Sequence, residues 1–188
     1  MAAMRTSECE ILIVPGLTNS GPDHWQTRWE HKLSSARRVE QDDWERPRRE
    51  AWTARLVEAV AVARKPAVIV AHSVGVVAVA HAAASFAPGK VLGAFLVAVP
   101  DLESQSVEGV DERFAPIPRD PLPFPSILVA SRNDPYCAYA RAEDFSFAWG
   151  SALADAGDAG HLNTASGHGP WPEGLMRFAG FLAKLKPA

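Results

Sequence analysis

Ser73 is the residue of this chain best placed to do chemistry. It lies in Val68-Ile69-Val70-Ala71-His72-Ser73-Val74-Gly75, and Val76-Val77-Ala78-Val79-Ala80 follows. A β-branched apolar run that leads into a serine, with small apolar residues at helical spacing after it, has the local form of a nucleophile elbow: strand, sharp turn, helix. The usual pattern is G-x-S-x-G, and Ala71 stands in the place of the first glycine. Small residues are needed there because strand and helix backbones approach closely, a need that alanine meets almost as well. On such a turn the Ser73 hydroxyl is exposed. The Val74 amide, unpaired at the start of the helix, is then free to hydrogen-bond a developing oxyanion. Taken alone, the segment also fits an ordinary strand–helix junction with Ser73 as its N-cap.

A serine hydroxyl is a weak nucleophile until a base takes its proton, and the base in turn needs an acid to fix its tautomer. His161, in Gly160-His161-Leu162-Asn163, and His168 are the candidates for the base. Asp134, in Asn133-Asp134-Pro135, and Asp101, in Pro100-Asp101, are the candidates for the acid. Each has a plainer reading, as a turn-forming aspartate or as a loop histidine bonded to backbone. His24, His31, His72 and His81 read as structural or surface by default. His24 and His72 are also, with Trp25 and Trp44, candidates for pocket lining, although tryptophans are more often core. Gly16-Leu17-Thr18-Asn19-Ser20-Gly21 opens like a phosphate-binding loop, but Pro22-Asp23 replaces the Lys-Ser/Thr pair that such a loop requires. The segment suits an oxyanion loop better, with the Leu17 amide joining that of Val74. No G-x-G-x-x-G follows a strand, and neither H-E-x-x-H nor a carboxylate cluster is present. No metal or cofactor is therefore expected.

Elements must bring these residues together. Ile11 to Val14 reads as a buried strand, and so do Ala67 to Ala71, Val91 to Val99 and Ser126 to Ala130. Weaker strands are read near Arg38-Val39-Glu40 and from Ala152 to Ala156. Helices are read over His24 to Leu33, Arg49 to Arg64, Val74 to Phe86, Cys137 to Gly150 and Glu173 to Leu185, while proline-rich Gly109 to Pro125 reads as loop. Continuous apolar strands alternating with helices predict a mostly parallel sheet covered on both faces, a three-layer α/β/α sandwich. Functional loops of such a sheet sit at the carboxyl ends of its strands. Thr18, Ser73, Asp101, Asp134 and His161 all follow strand ends, in the serine–acid–histidine chain order of the α/β-hydrolases.

Length and composition set bounds. The chain has 188 residues, enough for one domain with a real core and too few for a large inserted cap, so residues 1–188 are expected to form a single domain with an open pocket. At 47% hydrophobic and 22% charged it has ordinary globular usage, and a net charge of −3 gives no field favouring nucleic acid or anionic membrane. Arg46, Arg48 and Arg49 are interleaved with Glu45 and Glu50, a solvated surface. Two cysteines make no disulfide framework, Met1 to Glu10 lacks the apolar core of a signal peptide, and no apolar run approaches a bilayer span. A reducing cytoplasm fits best.

The chain resembles the small serine hydrolases grouped with retinoblastoma-binding protein nine and its bacterial relatives, an α/β-hydrolase family. The resemblance runs through Val14-Pro15-Gly16, His24-Trp25, Asp43-Trp44 with Pro47, Ala71 to Gly75, Ser131 to Tyr136, Gly160 to Asn163 and Ser166 to Gly174. It implies a minimal α/β-hydrolase fold without a cap domain, with Ser73 as nucleophile, Asp134 as acid and His161 as base. By the same pattern His168 falls in a glycine-rich stretch without a catalytic residue. The L-x-C-x-E motif associated with the mammalian member's name is absent, so no protein partner carries over. The expected function is cleavage of a small ester, thioester or amide through an acyl-Ser73 intermediate. The expected partner is a small-molecule acyl substrate, with neither nucleic acid nor membrane. The alternative is a non-catalytic binding protein that keeps the fold.

Overall fold

Strands that are apolar on both faces, such as Ile11-Leu12-Ile13-Val14, are buried only where helices cover both sides of their sheet. The computed structural model has that arrangement. It describes residues 4–186, so residues 1–3 of the Met1 to Glu10 segment and residues 187–188 of the expected domain lie outside the described residues. Six strands, β1 (Glu10–Val14), β2 (Ala36–Arg38), β3 (Ala67–His72), β4 (Val91–Val97), β5 (Ser126–Ala130) and β6 (Ala152–Asp155), form one sheet in the order β2-β1-β3-β4-β5-β6. Every pairing is parallel.

Alternate residues feed two cores. Leu12, Ile69, Leu96 and Leu128 face one side and pack with α2 (Arg49–Ala61), α3 (Val74–Ala82) and α4 (Tyr139–Trp149), through Trp52, Leu56, Val77, Phe145 and Trp149. Ile13, Val70, Phe95 and Val129 face the other side and meet α1 (Trp25–Lys32) and α5 (Pro172–Leu182), through Trp25, Trp29, Phe178 and Leu182. The fold is thus the single-domain α/β/α sandwich that the alternation of strands and helices predicts. Among the described residues, no helix is long and apolar enough to cross a membrane.

The differences from the sequence reading lie at element ends. β2 covers Ala36–Arg38 rather than Arg38 to Glu40, because Ile11 pairs with Ala36 directly after α1. This edge strand has no apolar signature. It is held by ion pairs of Arg37 with Glu10 and of Arg38 with Glu30. α2 stops at Ala61, and α3 passes at Ala83 into a short 3-10 turn that ends at Ser85. The proline-rich loop carries one 3-10 turn, Glu112–Phe114, and sends Phe114 and Ile117 into the first core.

The β3–α3 junction is the tightest point of the fold. A Cβ on Gly75 would lie 2.5 Å from the Pro15 carbonyl oxygen and 2.6 Å from that of Val14. Those atoms belong to β1 and its exit, which cannot move without shifting the sheet. Ala71 tolerates its methyl because that group enters the first core. Gly75→Ala is therefore expected to destabilise the protein by about 2 kcal/mol, in the range of overpacked cores. Thermal denaturation should show Tm falling by roughly 5 °C, and an unchanged Tm would mean that the helix stands further from β1 than described.

Candidate active site

Ser73 leaves β3 with φ 55° and ψ −130°, a backbone conformation that L-residues rarely adopt. The strain persists because both flanks are fixed: His72 pairs with Val97 in the sheet, and the Ser73 amide donates to the Val97 carbonyl at 3.0 Å. The loop after β1 passes directly over this turn. A Cβ on Gly16 would lie 2.7 Å from the Ser73 Cβ, so only glycine lets Leu17 reach the position beside Val74. The amides of Leu17 and Val74 donate no hydrogen bond among the described residues, and both residues line the cavity above Ser73.

His161 arrives from the loop after β6. Its Nε2 lies 2.9 Å from Ser73 Oγ, and its Nδ1 lies 2.9 and 3.0 Å from the two carboxylate oxygens of Asp134. A carboxylate only accepts, so Nδ1 carries the proton and Nε2 is left to accept from the serine hydroxyl. Both side chains are largely buried. The loop is pinned to its neighbour. Asn133 Oδ1 accepts from the Gly160 amide at 2.7 Å and from Ser131 Oγ at 2.8 Å, and Ser131 Oγ accepts from the Ala159 amide. Asp134 itself is oriented by the Tyr136 amide at 2.9 Å, and the Tyr136 ring sits 4.6 Å from that of His161. Such a line can move a proton from Ser73 Oγ to His161 Nε2 while Asp134 stabilises the imidazolium that results.

The rival candidates have other partners. Asp101 is buried against Arg141, whose Nε donates to it at 2.8 Å. Burial alone would raise its pKa, yet the Arg141 hydrogen bond and charge hold it below the usual carboxylate value. His168 Nδ1 lies 3.2 Å from Ser166 Oγ, away from the Ser73 cavity. His31 is exposed, and His81 bonds the Phe114 carbonyl. Burial pushes the thiols of Cys9 and Cys137 up to about 11 and about 12, so neither is a ready nucleophile.

The cavity measures about 580 Å³. Of the four residues read as pocket lining, His24 and His72 line it and Trp25 and Trp44 do not. Trp25 turns into the second core and donates Nε1–H to the Leu162 carbonyl at 2.8 Å. Trp44 packs on Trp52, and only its carbonyl serves the site, accepting from the Thr18 amide. Asn19, Val107, Tyr136, Asn163 and Thr164 also line the cavity, and none of them has a place in the site by sequence alone. The available signal was position alone, since Tyr136 and Asn163 each stand two residues from a residue singled out for chemistry. Among the described residues, no group of three or more His, Cys, Asp or Glu is arranged to hold a metal ion.

Histidines 24, 72 and 161 form a column, with ring centroids 4.9 Å apart for the first pair and 5.0 Å for the second. His72 Nε2 hydrogen-bonds the His161 carbonyl at 2.9 Å, and His24 Nδ1 accepts from the Gln26 amide as N-cap of α1. Burial, followed by nearby Arg38 and His161, pulls the His24 imidazole down to about 4. Burial, followed by His161 and His24, pulls His72 well below its ordinary value despite its hydrogen bond to the carbonyl. Both are neutral at physiological pH. A depressed histidine pKa leaves stability untouched above the unfolded value of roughly 6.5 and lowers it as the pH falls from there to the folded pKa, where the loss levels off. His24→Asn keeps the helix cap without a titrating group. Denaturant titrations should show that its stability falls about 2–3 kcal/mol less than wild type between pH 7 and pH 4.5. Parallel pH profiles for the two proteins would refute the buried neutral assignment.

Residues 11–180 match the family described as serine hydrolase. A YdeN-like hydrolase of Pectobacterium atrosepticum is 32% identical, with a TM-score of 0.84 over 94% of this chain and 92% of that one. The ydeN gene product of B. subtilis is 17% identical, with a TM-score of 0.73 over 94% and 100% of the two chains. Thermogutta terrifontis esterase 2, in a form phosphorylated by paraoxon, is 16% identical, with a TM-score of 0.67 over 98% and 87%. At such identities the last two likenesses are of fold. No curated protein matches the chain. The narrower grouping with retinoblastoma-binding protein nine gains nothing from these matches, whereas the broader one does: the chain belongs to the serine hydrolase family.

Proposed function

We propose that this protein cleaves a small ester, thioester or amide through an acyl-Ser73 intermediate. The observation that supports the reading is the unbroken line from Ser73 Oγ through His161 to Asp134, with each link at 2.9–3.0 Å. In the first half-reaction His161 Nε2 takes the Ser73 proton as Oγ attacks the acyl carbon. The carbonyl oxygen becomes an oxyanion facing the amides of Leu17 and Val74. His161 then gives the proton to the leaving oxygen, sulfur or nitrogen, and the bond to that atom breaks. Water, deprotonated by His161, repeats the sequence to release the acid and restore Ser73. Asp134 keeps the imidazole in the required tautomer throughout. Two buried, unpaired cysteines suit work in a reducing cytoplasm. The esterase trapped by paraoxon suggests the assay, because an activated serine attacks organophosphorus reagents and a binding module does not.

A fluorophosphonate probe is expected to label the wild-type protein and not Ser73→Ala, which should lose on the order of 10³ to 10⁶ in kcat on an activated ester. Undiminished turnover by Ser73→Ala, or an unlabelled wild type, would leave the non-catalytic reading standing.

The two acids are separated by their amides. Asp134→Asn leaves the wrong histidine tautomer available and should cost about 10⁴ in kcat. Asp101→Asn loosens the contact with Arg141 and should lower Tm while the folded protein keeps most of its turnover. His161→Ala should be as inactive as Ser73→Ala, and His168→Ala nearly normal. Steady-state kinetics on variants with native circular dichroism decide the matter, and the opposite ranking of either pair would reassign the acid or the base.

A further inference from the structure

Three side chains on the cavity share one arrangement, with the acceptor end tied into the protein and the donor end left over. Asn19 Oδ1 accepts from the Ser20 amide and from Arg38 Nη1, both at 2.7 Å. Asn163 Oδ1 accepts from the Ser166 amide at 3.1 Å. His24 Nδ1 accepts from the Gln26 amide at 3.2 Å, which places its proton on Nε2. Among the described residues the two Asn Nδ2 groups and His24 Nε2 donate to nothing, and all three residues line the cavity. His24 and Asn163 belong to one seam, because Trp25 Nε1–H joins the start of α1 to the Leu162 carbonyl.

Ionised groups are missing from the same surface. No Asp, Glu, Lys or Arg lines the cavity, and Arg38, which holds Asn19, is itself paired with Glu30 at 2.8 Å. Leu17, Val74, Pro100 and Val107 add apolar surface, and Thr18, Tyr136 and Thr164 add only neutral hydroxyls. An aliphatic group pressed on the seam would strip water from the donors and return nothing, at a cost for each. A carboxylate or phosphate would be desolvated with no cation to meet it. A neutral oxygen satisfies both conditions.

We infer that the substrate is an uncharged ester or amide with at least one further acceptor oxygen, of an ether, ketone or amide, that Asn19, His24 and Asn163 hold. This deepens, and rests on, the reading of Ser73 as nucleophile. A site built to hydrogen-bond a substrate oxygen rejects the analogue that lacks it more strongly than an apolar pocket rejects a missing methylene.

Three phenyl esters test it, followed by pH-stat and normalised to each ester's hydroxide-catalysed rate: the hexanoate, its isostere the 4-methoxybutanoate, and the hemiglutarate. The ether should exceed the hexanoate in kcat/KM by about tenfold, the worth of one net hydrogen bond, and the carboxylate should be the poorest of the three. Asn19→Asp and Asn163→Asp keep the tied oxygen and remove the donor, so the ether-to-hexanoate ratio should fall toward one within each variant. Equal or better turnover of the hexanoate, preference for the hemiglutarate, or an unchanged ratio in both variants would overturn the inference while leaving the nucleophile intact. If no ester is turned over, the nucleophile reading fails, and the seam is then judged by NMR titration of Ser73→Ala. There, tighter binding of methyl 4-methoxybutanoate than of methyl hexanoate supports the inference, and equal or weaker binding overturns it.

Discussion

The site depends on one histidine being gripped by two consecutive residues of the β3–α3 turn. His72 Nε2 bonds the main-chain carbonyl of His161, and Ser73 Oγ bonds the ring of the same residue, each at 2.9 Å. The loop after β6 is thereby fixed to β3 even though β4 and β5 lie between the two strands in the sheet. The grip requires His72 to be buried, and burial keeps it uncharged. An uncharged His72 also leaves His161 free to take a proton, as the proposed function requires, since a second positive ring 5.0 Å away would repel an imidazolium there. Structural support and electrostatic compatibility are met by the same desolvation.

Backbone crowding sets the remaining limits. Gly16, Gly75 and Gly160 are places where a Cβ would collide with Ser73, with the exit of β1 and with Ser166 respectively. Each lies where a loop at the carboxyl edge crosses another element. At these three points the edge is assembled so closely that a single added methyl has no room.

Much of this was legible in the sequence. The β-branched run before Ser73, the breakers after β1 and the strand-end positions of Asp134 and His161 are local signals, and local signals survive without coordinates. What was not legible depends on distance along the chain. Trp25 was a candidate for pocket lining, but its indole faces the second core and its partner carbonyl belongs to Leu162. β2 was shifted because two arginines give no strand pattern, and their ion-pair partners come from β1 and α1. Asn19 and Asn163 lie inside recognisable stretches, Gly16 to Gly21 and Gly160 to Asn163, but nothing in those stretches gives either side chain a role. Their meaning lies in which of their two polar ends is already occupied, and that appears only when Arg38 and Ser166 are in place.

The choice between Asp101 and Asp134 shows why spacing alone left two answers. Both follow a buried strand, both sit beside a proline, and both reach the carboxyl edge. Arg141 of α4 separates them. Its guanidinium bonds Asp101 and also Glu103, which Arg119 pairs from the far side of the loop. Asp101 is thereby committed to a charge network that closes the proline-rich segment over the first core. Its amide donates to the Tyr136 carbonyl at 2.8 Å, the Tyr136 amide orients the Asp134 carboxylate, and the Tyr136 ring lies against His161. The acid that does not meet the histidine thus helps to hold the turn of the acid that does. A carboxylate already neutralised by a guanidinium has little left with which to stabilise an imidazolium, so the two roles exclude one another at a single residue.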